Sequence, residues 1–300
     1  MEIIKCPAGS YKDFYNWWIQ TGHSYASANT YMSYARMYEL EYTVISQETY
    51  DKFAKEHANN VATSATKAYF KYLVDVKGMD SIIKDIRIDK IKHVRGLPKT
   101  IYHKEVGLIA DKMPTKMDKL FTVMLYHASM RISEALKIRY TDFNWAKWLD
   151  DKNEYGELII KKSKGGKSRV SLIKKELMYR IYAASPNKNS NGIPTGLLVF
   201  DYGLSRHFKE SQTPKESLYN YVLYASDRYR KLLYKVSQQA LGYKIRPHML
   251  RHTKAQGLLD NGMNIEVLKE VLGHTDIRTT IIYAKASPEK IKKEMKEFDF

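Results

Sequence analysis

At 300 residues with 44% hydrophobic side chains, the chain is long enough for one large or two ordinary packed domains and too apolar to be disordered. Its single cysteine, Cys6, excludes an intrachain disulfide and a thiolate metal cluster, and no apolar run approaches a membrane span or a signal-peptide core, so the composition is that expected of a soluble cytoplasmic protein. Fifty Lys and Arg against 33 Asp and Glu give a net charge of +17, spread unevenly: Met1–Arg95 carries 13 basic and 11 acidic residues, the remainder 37 and 22. A polyanion, nucleic acid ahead of an anionic membrane, is therefore the expected partner of the C-terminal part.

In chain order, Ser10–Gln20 predicts a helix, because Phe14, Trp17 and Trp18 recur at i, i+3 and i+4 and make a core face. After a Gly22-His23-Ser24 break, a second helix spans about Ser27–Glu41, with Tyr31, Tyr34 and Tyr38 on one side. Such an aromatic stripe is either core or a surface for stacking on sugar edges. A third helix begins after Ser46 and runs to about His57. A fourth begins after Asn60, with Thr63 or Ser64 near its start, turns Ala65, Tyr69, Tyr72, Leu73 and Val76 inward, and stops at Gly78. These elements predict a small all-α domain over 1–92. The run Ile91–Glu105 mixes basic residues with Gly96 and Pro98 and has little helical pattern, so 93–104 is expected to be an extended linker. Extended chain of this length spans ~30 Å or more.

Residues 105–300 are expected to form a second domain. Helices are predicted at about Lys104–Met113 and Lys116–Ser129. Arg131 then opens a further helix carrying Ile132, Ala135, Leu136 and Ile138. Gly156–Ile173 holds two β-rich runs around a Lys-Gly-Gly-Lys turn, the pattern of a hairpin. Ser185–Gly196 is polar loop, Gly196–Phe200 a short strand, and 214–240 a long tyrosine-rich helix. Near the end, His248 and Arg251 are three apart and share a helix face. A helix over Ile265–Leu272 ends at Gly273, a residue suited to a left-handed cap, so His274 sits at a helix terminus. Thr275 can cap a last short helix that carries Tyr283 about two turns along.

Six polar residues stand out as placed: Arg131, Lys164, His248, Arg251, His274 and Tyr283. Attack on a phosphodiester builds negative charge on its equatorial oxygens, which two guanidiniums can hold by charge-assisted hydrogen bonds. A phenol ionises near pH 10, so forming phenolate at pH 7 costs ~4 kcal/mol. An imidazole base and the field of two arginines can remove much of that cost. A departing sugar alkoxide needs a proton, and a lysine on a hairpin that reaches the minor groove can supply it. No carboxylate cluster or His/Cys set offers a metal site in the sequence. Each residue taken alone has an ordinary reading as core or solvated surface; the argument rests on their joint occurrence on the predicted elements.

In this setting the chain resembles the tyrosine recombinase (phage integrase) family, and within it the compact Xer-like and archaeal members. The resemblance is carried by Arg131-Ile132-Ser133-Glu134-Ala135-Leu136, by His248, Arg251 and His252 as H-x-x-R-H, and by Leu272-Gly273-His274 leading through Thr279 or Thr280 to Tyr283. Lys164, Gly165, Lys167 and Arg169 match the hairpin box, with Lys162 and Lys167 as rivals for the lysine. The resemblance is sharp from about Leu120 onward and architectural before it. It implies a mainly α protein with a small β-hairpin: an N-terminal helical, SAM-like core-binding domain and an α+β catalytic domain. It also implies roles. Tyr283 would attack the scissile phosphate to form a 3′-phosphotyrosyl link, and Arg131 and Arg251 would clamp the non-bridging oxygens. His248 would assist proton transfer or position Tyr283, His274 would hydrogen-bond the phosphate, and Lys164 would protonate the 5′ oxygen. Glu134 would orient Arg131 or pack its box. No metal, ATP or other cofactor is implied. The implied partners are double-stranded DNA carrying specific recombination sites and other copies of the chain, as a homotetramer exchanging strands through a Holliday junction. A tail helix over about 287–300, started by Ser287-Pro288-Glu289, would dock on a neighbouring subunit or remain a surface helix. A type IB topoisomerase-like nicking-closing enzyme and a non-catalytic DNA-binding protein on the same fold are the alternatives. On the charge distribution, DNA affinity is expected to fall steeply with salt, with a log–log slope of several units as counterions are released; a titration from low to physiological salt checks this, and a flat response would exclude a DNA-clamping role.

Overall fold

A computed structural model describes residues 4–79, 81–89, 99–149, 154–161, 168–203 and 214–283. The chain divides into two compact units, Met1–Arg95 and Gly96–Phe300. Among the described residues, four α-helices and a 3-10 turn at Ser81–Asp85 build the first: α1 (Ser10–Gln20), α2 (Tyr25–Glu41), α3 (Gln47–Glu56) and α4 (Asn60–Asp75). Side chains cap three of them at the N-terminus: Ser24 accepts from Ser27 N, Ser46 from Thr49 N, and Asn59 from Val61 N and Ala62 N. Asn59 therefore caps α4, within a residue of the expected start after Asn60, because its carboxamide reaches two orphan amides at once; Thr63 and Ser64 lie one turn inside the helix. The α1 N-terminus has no local cap. Gly9 there adopts φ 82, and Glu39 from α2 accepts hydrogen bonds from Gly9 N and Tyr11 N, both at 2.7 Å, and from the Tyr69 hydroxyl. Phe14, Tyr38, Phe53, Tyr69 and Leu73 fill the core, and Tyr31 and Tyr34 pack against it, so the tyrosine stripe is largely interior. Val76 is 49% exposed rather than inward, since it lies just past the end of α4. This unit also gathers Glu41, Glu56 and His57, with ligand-type atoms within 4.8 Å of one another. The sequence pattern did not suggest this group, because Glu41 comes from a different helix.

The second unit holds α5 (His103–Asp111), α6 (Lys116–His127), α7 (Ile132–Ala135), α8 (Trp145–Leu149), α9 (Lys175–Ala184), α10 (Pro214–Leu241), α11 (Pro247–Asp260), α12 (Ile265–Leu272) and α13 (Arg278–Ile281). Strands β1 (Tyr155–Ile160) and β2 (Arg169–Lys174) pair antiparallel, from Tyr155 opposite Lys174 to Ile160 opposite Arg169. Alternate residues Gly156, Leu158 and Ile160 of β1 face inward. A Cβ on Gly156 would come within 2.6 Å of Met178, so the glycine lets α9 lie against the hairpin. The tip of the hairpin, with Lys164, lies outside the described residues, as does the tail after Tyr283. The segment Gly196–Phe200 is not a strand. Leu198, Val199 and Phe200 are buried as expected of one, but among the described residues the segment's one backbone–backbone bond is Val199 N to Ile138 O, Phe200 O accepts instead from the Tyr221 hydroxyl, and no strand lies alongside. The pairing occurs instead inside the expected loop, where β3 (Asn187–Lys188) meets β4 (Pro194–Thr195). The core runs through α6, α9 and α10, where Tyr221, Ala225, Tyr229 and Leu233 are fully buried along one face of α10. Among the described residues no helix is long and apolar enough to cross a membrane.

Phe121 of α6 is the aromatic centre of this core, with edge contacts to Phe200 at 4.8 Å and Tyr229 at 4.7 Å between ring centroids. Phe121→Ala is expected to destabilise the second unit by about 3–5 kcal/mol, the cost of a buried ring and the cavity it leaves, measured as a shift of the urea midpoint; a loss below about 1 kcal/mol would mean that the site collapses around the smaller side chain.

Candidate active site

The site is assembled on α11. Pro247 occupies its first turn, where its missing N–H costs nothing, and fixes the helix start. One turn later Arg251 points inward and is 3% exposed. Its guanidinium joins the C-terminal ends of two helices: Nη1 donates to Ser129 O, just after α6, and Nη2 to Leu272 O, each at 2.7 Å. Leu272 closes α12, so its carbonyl is the negative end of that helix. Ser129 has φ 50, the one non-glycine with positive φ among the described residues, and this left-handed step follows the C-terminus of α6. Burial, and then the charge of Arg131, draw the Arg251 pKa down to about 10, which leaves it charged at neutral pH.

Gly273 follows α12 with φ 65. Its N–H donates to Glu270 O and that of His274 to Lys269 O, a Schellman closure that fixes the backbone of His274. Nε2 of His274 lies 3.0 Å from Arg251 Nη2 and its Nδ1 lies 2.8 Å from Thr280 Oγ1. A guanidinium only donates, so Nε2 accepts and Nδ1–H donates to Thr280. This tautomer suits a neutral ring, and burial together with the charges of Arg251 and Arg131 pulls the His274 pKa down to about 4. A bond from Nε2 to a phosphate, the role implied for His274, would have to displace the one from Arg251.

Arg131 is the N-cap residue of α7, as the sequence predicts, although α7 is only four residues long. Glu134, three residues on and 4% exposed at its side chain, accepts from Arg131 N at 2.9 Å and Arg131 Nη1 at 2.8 Å. It also accepts from Arg169 Nη2 at 2.9 Å and Nη1 at 3.4 Å, and lies 3.9 Å from Arg251. Burial alone would raise the Glu134 pKa; the hydrogen bonds and charge of Arg169, with the bonds from Arg131, overcome it and hold the carboxyl at about 2. One carboxylate thus faces three guanidiniums, which leaves an excess of positive charge for an incoming anion. Arg169, at the start of β2, lies over Gly273, where a Cβ would come within 2.8 Å of its Cδ.

Tyr283 lies just beyond α13 rather than two turns along a helix. Ile277, not Thr275, is the N-cap, and Asp276 accepts from Arg278 N. Tyr283 is 3% exposed and packs with Ala255, Leu259, Leu268 and Leu272. Its Oη is 2.5 Å from His252 Nδ1. Burial raises its pKa, while the charges of Arg251 and Arg131 pull the other way. His252 is kept neutral at physiological pH, its pKa drawn to about 4 by burial and by His248 and Arg251. His248 is on the first turn of α11, its ring 6.3 Å from that of His252. Arg131, His248, Arg251, His274 and Tyr283 are thus brought to one place, and Lys164 lies outside the described residues. Arg169, His252 and Ser129 had no assigned role. His252 and Arg169 stood inside the quoted motifs, whereas Ser129 acts through its carbonyl and left no signal.

The family model described as the phage integrase family matches residues 99–290. The chain belongs to this family. It is 30% identical over 236 residues to tyrosine recombinase XerA of Thermococcus onnurineus, covering 78% of this chain and 72% of that protein. It is 29% identical over 233 residues to XerA of Pyrococcus horikoshii, covering 78% and 70%. XerH bound to its difH substrate superposes with a TM-score of 0.62 at 17% identity, covering 98% of this chain and 85% of that one. A lambda integrase dimer on a core site gives a TM-score of 0.59 at 13% identity, covering 93% and 77%. The protein is a site-specific tyrosine recombinase of Xer-like type, and its mainly helical fold with small antiparallel sheets is the one the sequence predicts. In this recombinase the Glu134 carboxyl titrates well below its usual 4.5, so its contribution to stability, on the order of 3 kcal/mol, is fully present above pH 4.5 and is lost as pH falls towards 2. Urea unfolding from pH 7 to pH 2.5 should show this acid loss in the wild type and a flatter curve, from a lower start, in Glu134→Gln; parallel curves would mean that another carboxylate governs acid stability.

Proposed function

We propose that this recombinase cleaves double-stranded DNA at specific sites through Tyr283. Arg131 and Arg251 hold the non-bridging oxygens of the scissile phosphate, and their charge offsets that developing in the transition state. Oη of Tyr283 bonds to phosphorus, giving a 3′-phosphotyrosyl link and a free 5′-hydroxyl. Lys164 gives the departing 5′ oxygen its proton. His248 borders the bound phosphate, and His274 keeps Arg251 in place and is available to the phosphate once DNA arrives. The phosphodiester energy is kept in the tyrosyl link, so rejoining calls for neither ATP nor a metal. The observation that carries this reading is the gathering of these groups on one frame: buried Glu134 bonds Arg131 at 2.8 Å and lies 3.9 Å from Arg251, Arg251 meets His274 at 3.0 Å, and Tyr283 meets His252, the next residue on α11.

Both the basic excess of the second domain and the relatives' names favour strand exchange between paired sites. We assign the N-terminal helical domain (1–92) and the catalytic domain (105–300), joined by the linker at 93–104, to gripping the duplex together. Four copies on two sites exchange strands through a Holliday junction, with the tail (287–300) a candidate contact between copies. Strand transfer between two cognate sites on a plasmid separates this from simple relaxation of supercoils. Tyr283→Phe should abolish covalent protein–DNA adducts on a nicked suicide substrate while leaving site binding within a few-fold; adducts that persist in the Phe variant would remove Tyr283 as the nucleophile.

A further inference from the structure

The contact that the proposed mechanism leaves unused is the one made by the nucleophile itself. Oη of Tyr283 is 2.5 Å from Nδ1 of His252, with ring centroids 5.5 Å apart, and His252 directly follows Arg251 on α11. The helix that presents the phosphate-holding arginine therefore also presents the group that touches the attacking oxygen. His248, the imidazole expected to take this part, lies one turn earlier on the same helix and is exposed, whereas His252 is half-buried beside the phenol.

Resting on the assignment of Tyr283 as nucleophile, we propose that His252 is a catalytic residue of this recombinase, which orients Oη and accepts its proton as the phosphotyrosyl bond forms. The neutral ring carries its proton on Nε2 and receives the phenol hydrogen bond at Nδ1, which turns an oxygen lone pair towards the phosphate. In the step, Oη bonds to phosphorus and the bond from phosphorus to the 5′ oxygen breaks, its electron pair staying on that oxygen. The phenol proton moves to Nδ1 of His252, and the 5′ oxygen takes its proton from Lys164. Rejoining runs the same transfers backwards, His252 returning the proton to Oη. Among the described residues, the charged and titratable groups that face the ring are His248 and Arg251 from its own helix and Tyr283 from the run after α13. Burial of the ring, and after it the neighbouring His248 and Arg251, keep it unprotonated in the free protein, so that the Nδ1 lone pair is open to the phenol. The scissile phosphate brings negative charge that stabilises the imidazolium once formed.

The test is single-turnover cleavage of a nicked suicide duplex by the full chain across pH 5.5–9.5, comparing wild type, His252→Ala, His252→Asn and Tyr283→Phe. Loss of a general base should slow adduct formation ~10²-fold or more at pH 7 in His252→Ala. The rate of that variant should then rise about tenfold per pH unit towards the alkaline end, as solvent takes over ionisation of the phenol, while the wild-type profile stays flat around neutrality. His252→Asn keeps a hydrogen-bond acceptor near Nδ1 but cannot take up the proton. It should recover part of the rate and keep the alkaline slope, and it decides the matter if the Ala variant does not fold or bind DNA. Rates within a few-fold of wild type with the same flat profile, or faster cleavage on removing the imidazole, would overturn the proposal. Adducts in Tyr283→Phe would instead overturn the nucleophile assignment on which it rests.

Discussion

One buried carboxylate, Glu134, holds together the charged centre of this recombinase. Three guanidiniums approach it from three parts of the chain: Arg131 from the start of α7, Arg169 from β2 and Arg251 from α11. Like charges at such separations repel strongly in a desolvated setting, and a single anion cannot neutralise all three. The remainder is a standing positive potential fixed in place before any ligand arrives. Such pre-set charge is what makes transition-state stabilisation effective, because no reorganisation is needed at the moment of reaction. Glu134 is thus structural in its bonding and electrostatic in its consequence.

Around this hub the backbone supplies most of the remaining bonds. Arg251 is held by two carbonyls, Ser129 O and Leu272 O, each at the end of a helix. The left-handed conformation of Ser129 carries a strain of roughly 1 kcal/mol that a glycine would avoid, and it places a carbonyl where the guanidinium needs an acceptor. The Schellman turn at Gly273 then sets His274 against the same guanidinium, and the absence of a side chain at Gly273 admits Arg169. The β-hairpin, the α12 terminus and the α7 box are therefore fastened to one another through arginine side chains, so a change in one shifts the others.

The elements were largely legible because their signals are local. The i, i+3, i+4 spacing of Phe14, Trp17 and Trp18 and the two β-rich runs around Lys-Gly-Gly-Lys each depend on near neighbours in sequence, and both led to the elements found. Where the reading missed, tertiary contact decided. Leu198 to Phe200 have the pattern of a strand, but among the described residues no partner strand lies beside them, so they are buried as irregular chain. Tyr283 ended beyond α13 because Asp276 and Ile277, not Thr275, set the start of that short turn.

By itself the sequence determined the kind of chemistry and its cast: arginines, imidazoles and a phenol at spacings that share helix faces, on a strongly basic chain with one cysteine. It could do so because residue type and local period are written directly in the chain. It did not determine which imidazole touches the phenol. His248 and His252 are one helical turn apart, both fit the motif, and only the packing of the run after α13 against α11 puts Tyr283 on His252. Nor could it place Arg169 at the hub or reveal that a carbonyl of Ser129 holds Arg251. Those contacts join residues 35 and 122 positions apart, and their geometry exists only once the helices and the hairpin have packed.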